Sequence, residues 1–207
     1  PAIDRYLPFH YDANDVSGKL RNKEALLDLL RMSAAASVPL IGMVTRLTRQ
    51  KGIDLLPEVL PKLLQERDVR FVALGSGEAQ YERFMHEVQQ QFPGRVVFYT
   101  GYSEELAHFI EAAADIFLMP SLYEPCGLNQ LYSLKYGTVP VVRRTGGLAD
   151  SVQHFDPTTG QGTGVVFNDF DAGGLRWALQ TALEWYGWPS VWHRLVQNGM
   201  QQGFSWD

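Results

Sequence analysis

The sequence predicts an α/β chain folded as a Rossmann-like, doubly wound parallel sheet of about six strands with helices on both faces. Three observations carry this expectation. Short β-branched or apolar runs recur along the chain, separated by helix-length segments whose apolar residues fall at three- and four-residue spacing. The runs are apolar at successive positions rather than at alternate ones, which is the pattern of strands covered on both faces. Glycine turns close several of the runs and lead directly into the next helical segment.

Taken in order, residues 1–37 begin irregularly, with Pro1, Pro8, Asp12, Asn14 and Asp15, and then turn helical from Lys19 to Met32. The first strand is predicted from Val38 to Thr45. A loop with Arg46 and Lys51 follows, and Gly52 opens a helix over Leu55 to Glu66. The second strand, Val69 to Leu74, ends in the glycine turn Leu74-Gly75-Ser76-Gly77-Glu78 and precedes a helix from Glu78 to Gln91. The third, Val96 to Thr100, leads through Gly101-Tyr102-Ser103 into a helix from Glu104 to Ala114, with the Ser103 hydroxyl as its cap. The remaining strands are Ile116 to Met119, Val139 to Val142 and Val165 to Phe167, and the remaining helices Leu128 to Tyr136, Ala172 to Trp185 and Ser190 to Gln202. No internal repeat or low-complexity linker interrupts this alternation.

Composition narrows the partners. The 207 residues, 45% hydrophobic and 20% charged, suffice for a full core, and a net charge of -5 without a dense basic run disfavours a nucleic-acid binder. The single cysteine, Cys126, allows no internal disulfide, and no apolar run approaches membrane-spanning length. With no secretory leader visible, a reducing, soluble compartment is the expectation. His10, His86, His108, His154 and His193 show no metal-ligand spacing, so no metal is expected. The tryptophans Trp177, Trp185, Trp188, Trp192 and Trp206 crowd the last third; packing among the final helices or against a partner domain is favoured over carbohydrate stacking.

The most informative stretch runs from Ser121 to Gly147. It sets the Glu124 carboxylate beside a helix start and follows it with a glycine loop, Thr145-Gly146-Gly147. Backbone N–H groups at a helix start face anions, so Gly127, Leu128 and Asn129 suit phosphate oxygens, whereas Glu124 rejects phosphate and accepts hydroxyl hydrogens. One ligand carrying both chemistries is a nucleotide sugar. Arg46 and Lys51 at the mouth of the sheet suit a diphosphate and its developing charge, with an ordinary exposed basic loop as the competing reading. Gly75 lets a ligand approach the backbone, although plain strand-to-helix turns also use glycine. Tyr102 either stacks on a base or packs as a rim residue. Cys126 lacks a sequence-adjacent histidine and reads as a small residue that admits the ligand rather than as a nucleophile.

Three segments in this order carry a family resemblance: Arg46-Leu47-Thr48-Arg49-Gln50-Lys51-Gly52, Glu124-Pro125-Cys126-Gly127-Leu128-Asn129-Gln130-Leu131-Tyr132, and Tyr136-Gly137-Thr138-Val139-Pro140-Val141-Val142-Arg143-Arg144-Thr145-Gly146-Gly147-Leu148-Ala149-Asp150. They resemble the bacterial glycogen synthases and plant starch synthases over nearly the whole chain. The resemblance implies the C-terminal half of a two-domain GT-B glycosyltransferase. Pro1-Ala2-Ile3-Asp4 resembles the tail of the interdomain crossover. Residues 1–37 are then a crossover remnant and leading helix, and residues 38–207 the nucleotide-sugar domain, lacking the N-terminal domain and the final helix beyond Phe204-Ser205-Trp206-Asp207.

By position, the resemblance gives Arg46 and Lys51 the diphosphate and Glu124 the glucose hydroxyls. Backbone N–H groups of Cys126 and Gly127 fall near the sugar, those of Leu128 and Asn129 near phosphate. Gly75, Tyr102, Thr145, Gly146 and Gly147 complete the substrate site, with Tyr102 as an adenine neighbour. The reaction implied is retaining transfer of glucose from ADP-glucose to the non-reducing end of an α-1,4-glucan, by a front-face route without metal or other cofactor. Related enzymes using UDP-glucose, and a non-enzymatic nucleotide- or glucan-binding module, are the alternatives. The implied partners are ADP-glucose or ADP, the glucan and the missing N-terminal domain, with neither nucleic acid nor membrane. The location implied is bacterial cytoplasm, or a plastid for a plant chain. Two residues depart from the wider family pattern. Tyr132 stands where many related transferases carry a second glutamate, as it does in glycogen synthases, and Asn129 stands where threonine is more usual.

Overall fold

The apolar runs all join one sheet in the computed structural model, which describes residues 1–203. Its strands are β1 (Leu40–Val44), β2 (Arg70–Gly75), β3 (Val96–Thr100), β4 (Ile116–Met119), β5 (Val139–Arg143) and β6 (Val165–Phe167). They lie in the order β3-β2-β1-β4-β5-β6, and every neighbouring pair is parallel. Sequence direction across the sheet reverses between β1 and β4. Chain segments leaving those two strands diverge there and open a crevice beyond their carboxyl ends.

Strand periodicity divides the core into two layers. On β2, Phe71 and Ala73 join the buried cluster on one face, while Val72 and Leu74 join the cluster on the other. The first layer takes α2 (Leu56–Glu66), α3 (Ala79–Gln91), α7 (Ala172–Tyr186) and α8 (Pro189–Met200). The second takes α1 (Ser17–Leu29), α4 (Glu104–Ala113) and α6 (Gly146–Ser151). Helix α2 shows why: Leu56, Val59, Leu60, Leu63 and Leu64 form one buried stripe at helical spacing. On the other face α4 presses against β1 so closely that a Cβ on Gly42 would sit 2.8 Å from Ile110 Cγ2. Phe71 and Phe117 are fully buried, and truncating either to alanine is expected to cost about 3–5 kcal/mol.

Residues 1–37 pack onto α4 and α5 (Asn129–Lys135) rather than standing apart. Leu7, Tyr11, Ala112 and Tyr136 form a small buried cluster, and Tyr11 O–H donates to the Tyr136 carbonyl at 2.5 Å. Lys23, on α1, pairs with Asp115 at 2.7 Å, and the same carboxylate accepts the Leu40 N–H at the start of β1.

Several boundaries differ from the sequence expectation. Helix α1 starts at Ser17 and stops at Leu29, because Arg31 takes a left-handed φ of 54° that turns Met32 into the core. Strand β1 begins at Leu40, since the Val38 N–H closes a turn onto Ala35. Gly52 does not open α2; its φ of 80° joins two 3-10 turns, Arg49–Lys51 and Ile53–Leu55. The glycine loop predicted at Gly146 and Gly147 is the first turn of α6, a helix masked by the low helix propensity of its two glycines. Trp185 is buried edge-on against Phe155 and Trp192 packs edge-on against Tyr186, whereas Trp177 and Trp188 are about half exposed. The expectation about Phe204 to Asp207 concerns residues outside those described.

Candidate functional site

The carboxyl ends of β1, β2 and β3 and the first turns of α4 and α5 enclose a cavity of about 470 Å³, within the range of small-molecule sites. Of the residues singled out in the sequence, Arg46, Gly75, Tyr102 and Asn129 line it. Arg46 is exposed and pairs with no acid among the described residues. Tyr102 stands 75% exposed at the rim, available as a flat surface rather than packed into the core. Asn129 uses its side-chain amide structurally, donating to the Val44 carbonyl at 3.0 Å and so fastening the start of α5 to the end of β1.

The other expected residues form a second cluster at the end of β4. Lys51 Nζ lies 2.5 Å from Glu124 Oε2, with Ser121 Oγ 3.4 Å from the same oxygen. Both partners are largely shielded, with side chains 19% and 9% exposed. A two-way clamp brings them together: Leu122 N–H donates to the Gln50 carbonyl at 2.9 Å, and Gln50 Nε2 donates to the Tyr123 carbonyl at 3.3 Å. Gly52 supplies the room, because its backbone runs against Pro120 where any Cβ would overlap the Pro120 carbonyl. Thr145, Gly146 and Gly147 face the same loop. Gly147 N–H donates to the Glu124 carbonyl at 3.0 Å, and side chains at Gly146 and Gly147 would overlap the carbonyls of Glu124 and Cys126.

Cys126 and Leu128 are exposed. Gly127 has a φ of 68°, and the N–H groups of Gly127, Leu128 and Asn129 find no acceptor among the described residues. Gln130, buried beneath them, holds the turn by donating to the Cys126 and Gly127 carbonyls at 3.2 and 3.0 Å. The result is a shelf of free amide donors between the cavity and the Lys51–Glu124 pair.

Other residues of the site were not legible in the sequence. Arg143, present there only within the third family segment, spreads its guanidinium over the carbonyls of Ser121, Leu122 and Asn168 and so braces the Glu124 loop. On α4, Glu104, Ala107, His108 and Glu111 line the cavity from one helix face, and Tyr132 and Tyr136 of the α5 region face them. The recoverable signal was the i, i+4, i+7 placement of the polar residues Glu104, His108 and Glu111 on a helix after a strand's carboxyl end. Burial pushes the Glu111 carboxyl up to about 8, with a Ser133 hydrogen bond and Lys19 pulling the other way. Among the described residues no cluster of three or more His, Cys, Asp or Glu side chains is placed to hold a metal ion. Nor is any helix long and apolar enough to cross a membrane.

Fold and site together define a Rossmann-like α/β domain whose crevice combines anion-facing amides with a shielded cation–carboxylate pair. The profile of the glycosyl transferases group 1 matches residues 33–201, and the chain belongs to that family. It is 47% identical over 214 residues to a glycogen synthase of Hydrogenovibrio crunogenus, covering all of this chain and 44% of that protein. A glycogen synthase of Bacillus cereus is 44% identical over 206 residues, with 100% and 43% covered. Among solved structures, the catalytic domain of starch synthase IV from Arabidopsis thaliana, bound to ADP and acarbose, matches with a TM-score of 0.92 at 39% identity, over 100% of this chain and 43% of that one. The chain thus spans less than half the length of these relatives.

Proposed function

We propose that this chain is the donor-binding, C-terminal half of a two-domain GT-B enzyme that transfers glucose from ADP-glucose to the non-reducing end of an α-1,4-glucan with retention. The observation that carries the reading is the continuity of three surfaces along one crevice: a nucleoside-sized cavity, a shelf of free amides and the Lys51–Glu124 pair. A nucleoside, a diphosphate and a hexose succeed one another in that order in a nucleotide sugar. The names of the relatives and the ADP in the starch synthase structure support adenine and a glucan product. In this reading residues 1–37 are the connection to an N-terminal domain that contributes acceptor contacts, and the enzyme works in bacterial cytoplasm.

Adenosine occupies the cavity with its base on Tyr102. The diphosphate lies on the N–H groups of Leu128 and Asn129, between Arg46 and Lys51. Glu124 accepts hydrogens from glucose hydroxyls, with the Cys126 and Gly127 amides alongside and the turn from Thr145 to Gly147 closing the sugar pocket. The glycosidic bond between the anomeric carbon and the diphosphate breaks as the acceptor 4-oxygen bonds to that carbon from the same face. The acceptor proton passes to a diphosphate oxygen. The two cations stabilise the charge that grows on the leaving group, the largest contribution open to such a site. No metal or other cofactor enters the reading.

Calorimetric titration with ADP, UDP and ADP-glucose, paired with a glucosyl-transfer assay of the full-length protein, tests it. Adenine-selective binding and transfer from ADP-glucose are expected. Transfer from UDP-glucose alone, or binding without transfer, overturns it.

A further inference from the structure

We propose that His108 is a nucleoside-reading residue, its Nε2 accepting a hydrogen bond from an N–H or O–H group of the bound nucleoside, with Asp4 as the residue that positions it. This rests on the reading of the cavity as a nucleotide site.

The geometry begins with the anchoring of the ring. His108 projects from α4 into the cavity wall, and its Nδ1 lies 2.6 Å from Asp4 Oδ2. Asp4 belongs to the N-terminal segment, and its side chain is only 7% exposed. The same oxygen accepts the Tyr136 O–H, while Oδ1 accepts the Tyr6 N–H at 2.9 Å. The Tyr6 ring packs against the imidazole with centroids 4.9 Å apart. Carboxylate, two tyrosines and helix thus fix the ring in one orientation. Burial works to raise the Asp4 pKa, but the hydrogen bonds from Tyr136 and His108 outweigh it and leave it lowered, so Asp4 is ionised at neutral pH. An ionised acceptor places a ring hydrogen on Nδ1, and in that tautomer Nε2 is the acceptor left to the cavity. Nε2 has no hydrogen-bond partner among the described residues, and the side chain is 37% exposed.

The surroundings identify what this acceptor faces. Glu104 and Glu111 share its helix face, so the α4 wall offers acceptors and acids rather than cations. Phosphate oxygens carry no hydrogen to donate and are unsuited to that wall; their donors, Arg46 and the amides ahead of α5, lie on other elements. The part of a nucleotide that does carry donors is the nucleoside, through the base amine and the ribose hydroxyls. A ring held this rigidly accepts a hydrogen bond with little ordering cost.

The test is a calorimetric cycle in the full-length protein, comparing wild type, His108→Phe and His108→Gln against ADP, inosine diphosphate, 2′-deoxy-ADP and 3′-deoxy-ADP. Phenylalanine keeps the packing on Tyr6, and glutamine restores an acceptor. His108→Phe is expected to weaken ADP about tenfold, with partial recovery in His108→Gln. The loss should vanish for one analogue: for inosine diphosphate if the base amine is the donor, for a deoxy nucleotide if a ribose hydroxyl is. Asp4→Asn should weaken ADP in the wild-type background and not in His108→Phe. Unchanged ADP affinity in His108→Phe, or an equal loss for all four nucleotides, makes His108 a structural tie alone and overturns the inference while ADP binding by the wild type stands. Failure of the wild type to bind ADP overturns both this and the parent reading.

Discussion

Lys51 and Glu124 are 73 residues apart in sequence, yet Lys51 Nζ and Glu124 Oε2 meet at 2.5 Å in a shielded pocket. Each is the partner the other holds before a ligand arrives. Under the proposed function, a nucleotide sugar is expected to separate them, drawing the ammonium to the diphosphate and freeing the carboxylate for hydroxyl groups.

Lys51→Ala is therefore expected to lower glucosyl transfer by the full-length protein by roughly a hundredfold or more, the scale of removing one preorganised donor at a developing negative charge. Initial rates at saturating ADP-glucose measure it. Near-normal turnover sinks the assignment of Lys51 to the leaving group.

Gly147→Ala should act on both stability and donor binding. Its Cβ overlaps the Cys126 carbonyl, so the loop bearing Glu124 must shift. Unfolding in urea is expected to show a loss of about 2 kcal/mol, accompanied by weakened ADP-glucose binding. A variant with normal stability and affinity contradicts the close approach.

Tyr102→Ala separates rim stacking from core packing. Because the ring is 75% exposed, stability should hold within about 0.5 kcal/mol of wild type. ADP affinity is expected to fall by up to about tenfold, with Tyr102→Phe close to wild type. Equal binding by the alanine variant removes the base-stacking role.

Arg143→Met tests the brace beneath the site. Losing the guanidinium leaves the carbonyls of Ser121, Leu122 and Asn168 without that donor, and a cost of about 2 kcal/mol is expected in urea unfolding. Arg143→Lys should not rescue it, since a point charge cannot span three carbonyls.

Glu111 and Lys19 give stability a pH signature. Glu111, pushed by burial from 4.5 to about 8, keeps a proton in the folded chain that the unfolded chain releases, so its contribution falls as pH rises from 4.5 to 8. Lys19, lowered by burial from 10.5 to about 7, does the reverse: the unfolded chain holds the extra proton, and stability rises from pH 7 to 10.5. Urea midpoints across pH 5 to 10 should pass through a minimum at pH 7–8. Glu111→Gln should flatten the acid limb, and a variant with the wild-type profile contradicts the assignment.

Much of this protein was legible in its sequence because the information is local. Covered parallel strands write themselves as apolar runs, amphipathic helices as three- and four-residue spacing, and these determined the number of strands, the alternation and the two-faced core. Ser121 to Gly147 was legible in the same way as a local pattern, a carboxylate ahead of a helix start, and Glu124 does precede α5. Local reading failed where local propensity was overruled: α6 begins on two glycines because the Gly147 N–H finds the Glu124 carbonyl across the crevice. Only the tertiary structure decided which distant groups meet. The strand order sets β1 beside β4 and β4 beside β5, from which follow the Lys51–Glu124 contact and the Arg143 brace, while the packing of the N-terminal segment on α4 makes the Asp4–His108 bond across 104 residues. Such partners are chosen by the crossing of chain segments in space, and no periodicity along the chain records it.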